Sequence, residues 1–162
     1  MALFDDHIIQ AKKNLAFLEN INSNIEDCCD WQVTICFYCA VHLANAHLAK
    51  SELHYRRHND VNHALNPEVA LSTTKWSLEE FKSYIKLFQL SRRARYLVSE
   101  SEGVIDQGRA FLTYDKHLAR AVRHLDVLLV LFCRRYPEVT FKKISIKCIE
   151  LKKNELKAIF IA

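Results

Sequence analysis

The segment Arg57-His58-Asn59-Asp60-Val61-Asn62-His63 holds the side chains of this chain best suited to chemistry. An arginine presents a rigid guanidinium fork that fits a phosphate. A histidine titrating near neutrality can take up or return one proton at physiological pH. Five residues separate Arg57 from His63, and His58 is a second imidazole between them. Arg56 precedes the pair, and Arg92, Arg93 and Arg95 follow downstream. Such clusters either hold a nucleic-acid backbone or form ordinary solvated helix ends. Arg56, Arg92 and Arg95 are the candidate phosphate contacts. Arg120-x-x-x-His124 is a similar but shorter pairing.

Upstream lies Phe37-Tyr38-Cys39-Ala40-Val41-His42-Leu43-Ala44-Asn45-Ala46. Tyr38, His42 and Asn45 stand at i, i+4 and i+7, on one stripe of a helix. Buried polar groups need partners, so the stripe is either an internal hydrogen-bond network or one wall of a cleft. An apolar helix bringing imidazole and basic groups to one edge suits a phosphate-handling site. Cys36-x-x-Cys39, with Cys28, Cys29 and His42 nearby, carries part of a zinc pattern. Both thiols sit inside an apolar helix and no second Cys pair follows, so small buried thiols are the better reading. No metal ligand set and no cofactor is expected.

The elements that position these groups follow from periodicity. Ile8, Ala11, Leu15 and Leu18 form the stripe of a first helix from about Leu3 to Asn22. Asp27 or Asp30 is suited to cap a second helix reaching about Ser51, apolar nearly all round and therefore central. His54 to Asn66 is a polar connector with one helical turn. Ser77-Leu78-Glu79-Glu80 is a capping box opening a helix to about Val98. Its inward stripe is Phe81, Tyr84 or Ile85, Phe88 and Leu90, then Tyr96 or Leu97. Ser99 to Gly108 reads as a loop. Asp115 caps a last helix to about Arg135, closed by Pro137. Alternation at Ile144, Ile146 and Cys148, with Ile159 and Ile161 after a polar turn, suggests a β-hairpin; a helix through Ile144, Cys148, Leu151 and Leu156 competes. A lone hairpin must pack on the bundle or on a second chain.

A chain of 162 residues, half of them apolar, can bury one sizeable core. Two glycines and two prolines argue against an all-β or disordered protein and favour helices. The net charge of +4 permits an anionic partner without requiring one. The N-terminus lacks a basic region and a long apolar run, so no signal peptide is expected. No stretch approaches roughly 18 apolar residues, so no membrane contact is expected. With six cysteines, this predicts a cytoplasmic protein with reduced thiols.

This order of signals resembles the HEPN family, small helical bundles spread across higher eukaryotes and prokaryotes and named also for nucleotide binding. Several prokaryotic groups carry aromatic-Tyr-x-Ala-x-His-x-x-x-Ala in the second helix, here Phe37 to Ala46. A connector with a basic residue and a His follows, here Arg57-His58. A later helix then carries Tyr84, Leu87, Ser91 and Ala94-Arg95-Tyr96. The resemblance covers roughly residues 5 to 136. It implies an all-α, four- to five-helix up-and-down-type bundle over 1–136, with 137–162 as a C-terminal extension. It also implies a homodimer and metal-independent cleavage of RNA, with a 2′,3′-cyclic phosphate product. The family signature is an Arg, often followed by a polar residue, then a His after four to six intervening residues. Arg57 and His63 satisfy it as the catalytic pair; in related groups His58 is the matching histidine. A toxin or phage-defence ribonuclease is the leading expectation. A non-catalytic module binding a nucleotide, an RNA, or an antitoxin or nucleotidyltransferase partner is the second. A purely structural helical protein, the third, explains the basic connector least.

Overall fold

The computed structural model describes residues 2–101 and 110–161. Among the described residues five helices carry the fold: α1 (Phe4–Asn24), α2 (Cys29–Ala49), α3 (His58–Leu65), α4 (Leu78–Tyr96) and α5 (Asp115–Arg135). It is an all-α helical bundle built around α2, which packs against α1, α4 and α5. Val33, Cys36, Phe37, Cys39, Ala40, Leu43 and Ala44 of α2 are all fully buried, as an all-round apolar helix requires. The α1 stripe Ile8, Ala11, Leu15 and Leu18 faces it and continues to Ile21. None of the described helices is long and apolar enough to cross a membrane.

Local details depart from expectation at several ends. Cys28, rather than Asp27 or Asp30, occupies the N-cap of α2. Asp27 is in the left-handed region at φ 50° in the preceding turn, and Asp30 lies in the first turn, where the helix dipole favours a negative charge. The connector forms two helical turns rather than one. Asp115 is the first residue of α5, with Tyr114 at the cap. The capping box of α4 is as expected: the Glu80 amide donates to Ser77 Oγ at 3.2 Å and the Ser77 amide to Glu80 Oε2 at 2.8 Å. The inward stripe of α4 is Tyr84, Leu87, Leu90, Ser91 and Ala94, with Phe81, Ile85 and Phe88 partly buried beside it. Tyr96 and Leu97 point outward. Tyr96 falls off the three-to-four-residue spacing that runs 84, 87, 91, 94; Leu97 is on it but ends the helix in the left-handed region at φ 55°, which turns it out of the stripe. The expected loop at Ser99–Gly108 lies outside the described residues beyond Ser101.

The C-terminal strands do not form a hairpin. β1 (Ser145–Ile146) and β2 (Phe160–Ile161) pair in parallel, Ser145 with Phe160 and Ile146 with Ile161. A hairpin requires antiparallel strands. Here side chains of the bundle catch the returning chain. The Asp126 carboxylate accepts the amides of Lys157, Ala158 and Ile159 at 2.7–3.1 Å. Asn22 brackets Lys147 through both its amide and its carbonyl, and Glu19 accepts the Ser145 amide at 2.7 Å. Ile144, Ile146, Leu151 and Ile159 thereby join the helical core.

Candidate functional site

The strongest site forms where the start of α3 meets the end of α4 over the middle of α2. Phe37, fully buried in α2, offers its ring to His58 at 5.4 Å and to Phe88 at 5.5 Å between centroids. His58, the first residue of α3, lies 5.6 Å from Phe88. Its half-buried imidazole thus packs against two aromatic rings that also touch each other. Arg95 closes the site from the last turn of α4. Its guanidinium lies 6.0 Å from the Phe37 ring and 5.2 Å from the Tyr96 ring, and donates to the Ser91 carbonyl and hydroxyl, both at 3.2 Å. Among the described residues no carboxylate pairs with Arg95. Arg92 lies over Phe88 at 5.9 Å.

Electrostatics follow from this placement. Burial lowers the pKa of His58 below 6.5, and the nearby Arg95 charge lowers it further. At neutral pH His58 is therefore an uncharged imidazole, able to accept a proton, beside a permanent cation. A bound phosphate would offset the Arg95 charge and favour the imidazolium. The site can hold an anion and move a proton.

The other arginines of interest are differently provided for. Arg93 donates to the Leu112 carbonyl at 2.7 and 3.1 Å. Arg120 forms a bidentate pair with Glu100 at 2.7 and 3.0 Å. Arg135 is held by the buried Glu80 at 2.6 and 3.3 Å.

Arg56 and Arg57 are exposed, and Arg57 is the N-cap of α3. His63 is exposed on the same helix. Arg57 is in extended backbone at the cap, and among the described residues no hydrogen bond or ion pair joins it to His63, which lies more than a helical turn further on. One chain therefore does not bring Arg57 and His63 together; His63 instead borders a shallow pocket with Leu53, Tyr55, Val69 and Thr74. Tyr38 is 41% exposed beside Phe37. Asn45 lines a pocket with His7, Leu53, His54 and Tyr55, and His42 Nδ1 faces His7 Nδ1 at 3.2 Å. Of the α2 stripe, Asn45 therefore borders a pocket, His42 is joined to α1 through His7, and Tyr38 lies at the surface. Phe37 and Phe88 wall the His58–Arg95 site, and His7 and His54 line the separate pocket beside Asn45; sequence reasoning assigned none of the four to these places. His7 was detectable as a polar residue adjoining the apolar α1 stripe. Cys36 and Cys39 are buried, and burial pushes the Cys36 thiol up to about 12.

Fold and site together define a class: an all-α bundle with a half-buried imidazole beside a guanidinium that no carboxylate neutralises among the described residues. No protein-family model, curated protein or solved structure matches this chain.

Proposed function

We propose that this chain is a HEPN-like, metal-independent endoribonuclease that binds an RNA phosphate at Arg95 and moves its proton through His58. The convergence of His58 and Arg95, two residues drawn from separate HEPN-like motifs, carries the reading. Neutral His58 accepts the ribose 2′-hydroxyl proton as the 2′-oxygen attacks phosphorus. The phosphorus–5′-oxygen bond breaks, the 5′-oxygen takes a proton from water, and a 2′,3′-cyclic phosphate remains. The Arg95 fork stabilises the non-bridging oxygens as charge builds on them. Arg56, Arg57 and Arg92 would extend contact along the backbone. Arg57 and His63 would act together only across two copies in a homodimer. A toxin or phage-defence role in the cytoplasm completes the proposal on the strength of the same resemblance.

The test is cleavage of labelled RNA in excess chelator with detection of cyclic phosphate ends. His58→Ala and Arg95→Ala should each lower it by roughly 10²-fold or more. Undiminished cleavage by both variants would overturn the assignment, and loss confined to Arg57→Ala and His63→Ala would move the chemistry to a dimer cleft. A second reading is favoured by Arg92 and Arg95 lying over aromatic rings, an arrangement that grips a phosphate or base without proton transfer. It makes the chain a non-catalytic module for a nucleotide, an RNA or a nucleotidyltransferase-type partner. Arg95-dependent RNA binding without cleavage would select it.

A further inference from the structure

The His7–His42 contact has no part in the chemistry above. The two Nδ1 atoms lie 3.2 Å apart, with ring centroids 5.5 Å apart and planes tilted by 38°. One imidazole comes from α1 and the other from α2, so two packed helices fix their spacing. With one ring protonated on Nδ1 the pair shares a hydrogen bond. With both rings protonated on Nε2, the two Nδ1 lone pairs face one another head-on across the gap, so an ion would sit to one side of the N–N line and each ring would turn slightly to aim at it. Two imidazole nitrogens on one tetrahedral ion, each at roughly 2.0–2.1 Å, stand about 3.3–3.4 Å apart. The observed spacing needs almost no adjustment to reach that value.

The surroundings suit a cation. Burial, with the neighbouring imidazoles, disfavours the charged form of both rings, and a neutral ring keeps one nitrogen lone pair for a ligand. The Asp6 carboxylate acts on His7 in the opposite sense and supplies negative potential. His54 stands close enough to affect His7, and His7, Asn45, His54 and Tyr55 line one pocket of 190 Å³. Among the described residues no three His, Cys, Asp or Glu side chains are already gathered as a cage, so the site is open. Nitrogen donors select first-row transition ions over calcium or magnesium, which take oxygen.

We propose that His7 and His42 form a two-imidazole site for a zinc-type transition-metal ion, with His54 swinging in from the α2–α3 segment as third ligand and water completing the shell. The test uses the tag-free chain, titrated with Zn²⁺ calorimetrically and with Co²⁺ by absorption. One ion per chain should bind, with visible Co²⁺ bands and no thiolate charge-transfer band. His7→Gln and His42→Gln should each weaken binding about tenfold or more, His54→Gln less, and His63→Gln not at all. On the unsubstituted chain, Zn²⁺ should shift the ring ¹⁵N resonances of His7 and His42 but not of His63, which settles the matter if a variant fails to fold. Absence of saturable binding, unchanged ring resonances, or loss of binding in Cys29→Ser would overturn the site.

Discussion

Arg95 and Arg135 each end a long helix, α4 and α5, where a cation suits the helix dipole. Their surroundings are opposite. Arg135 donates two hydrogen bonds to a Glu80 side chain only 4% exposed. That carboxylate also accepts the Ser77 amide and so joins two helix ends. Arg95 has aromatic rings and its own helix's Ser91 as neighbours and no carboxylate among the described residues. A buried charge left without its partner is costly. The first arginine is therefore finished as structure, whereas the second retains unused capacity for an anion.

Exchanging the two tests this contrast most severely. Arg95→Ala should lower RNA cleavage by roughly 10²–10³-fold, the scale for losing one donor to developing charge, with little change in melting temperature. Glu80→Ala should do the reverse. It strands Arg135 and removes half of the capping box, and should destabilise the fold by about 3–5 kcal/mol in urea titrations. Its cleavage rate per folded molecule should be unchanged. Equal losses of activity in both variants would erase the distinction.

Acid should act on both regions, but a ligand should protect only one. Burial leads in holding His7, His42, His47, His58, His117 and His124 below 6.5. A lowered pKa means that, below 6.5, the unfolded chain takes up protons that the folded chain refuses. The stability these groups give is present above 6.5 and is lost as pH falls towards their folded pKa values. Thermal melts should hold steady near about pH 7.5 and drop by about pH 5.5. A non-cleavable RNA analogue should reduce that loss by raising the pKa of His58. His47, on the Arg135 side and bonded to the Tyr136 hydroxyl at 2.7 Å and the Thr74 carbonyl at 3.0 Å, should titrate identically with and without the analogue. A shift at His47 and none at His58 in proton NMR would place the anion in the wrong region.

What was legible in sequence was mostly local. The α1 stripe and the Ser77–Glu80 box depend on residues three or four apart, and both formed as read. The Glu80–Arg135 pair spans 55 residues, and no spacing rule reaches that far. His58 and Arg95 were each recognisable as functional residue types. Their meeting depends on how α3 folds back over Phe37 and Phe88, which is a tertiary fact. The C-terminal alternation correctly marked extended chain, but strand direction was set by Asp126 and Asn22, distant bundle residues that periodicity does not include.

Arg57 supplies the smallest and sharpest test. It is exposed at the α3 N-cap, without the aromatic walls that hold His58. If it only tracks RNA backbone, Arg57→Ala should weaken binding by a few-fold, leave kcat intact, and reduce the salt slope by about 1. An exposed arginine paired with His63 across two copies would instead lose kcat and depend on protein concentration. Measuring kcat, KM and the salt slope of this one variant over a dilution series separates a phosphate contact from a catalytic group. It thereby decides whether the open region ends at Arg95 or extends to a second protomer.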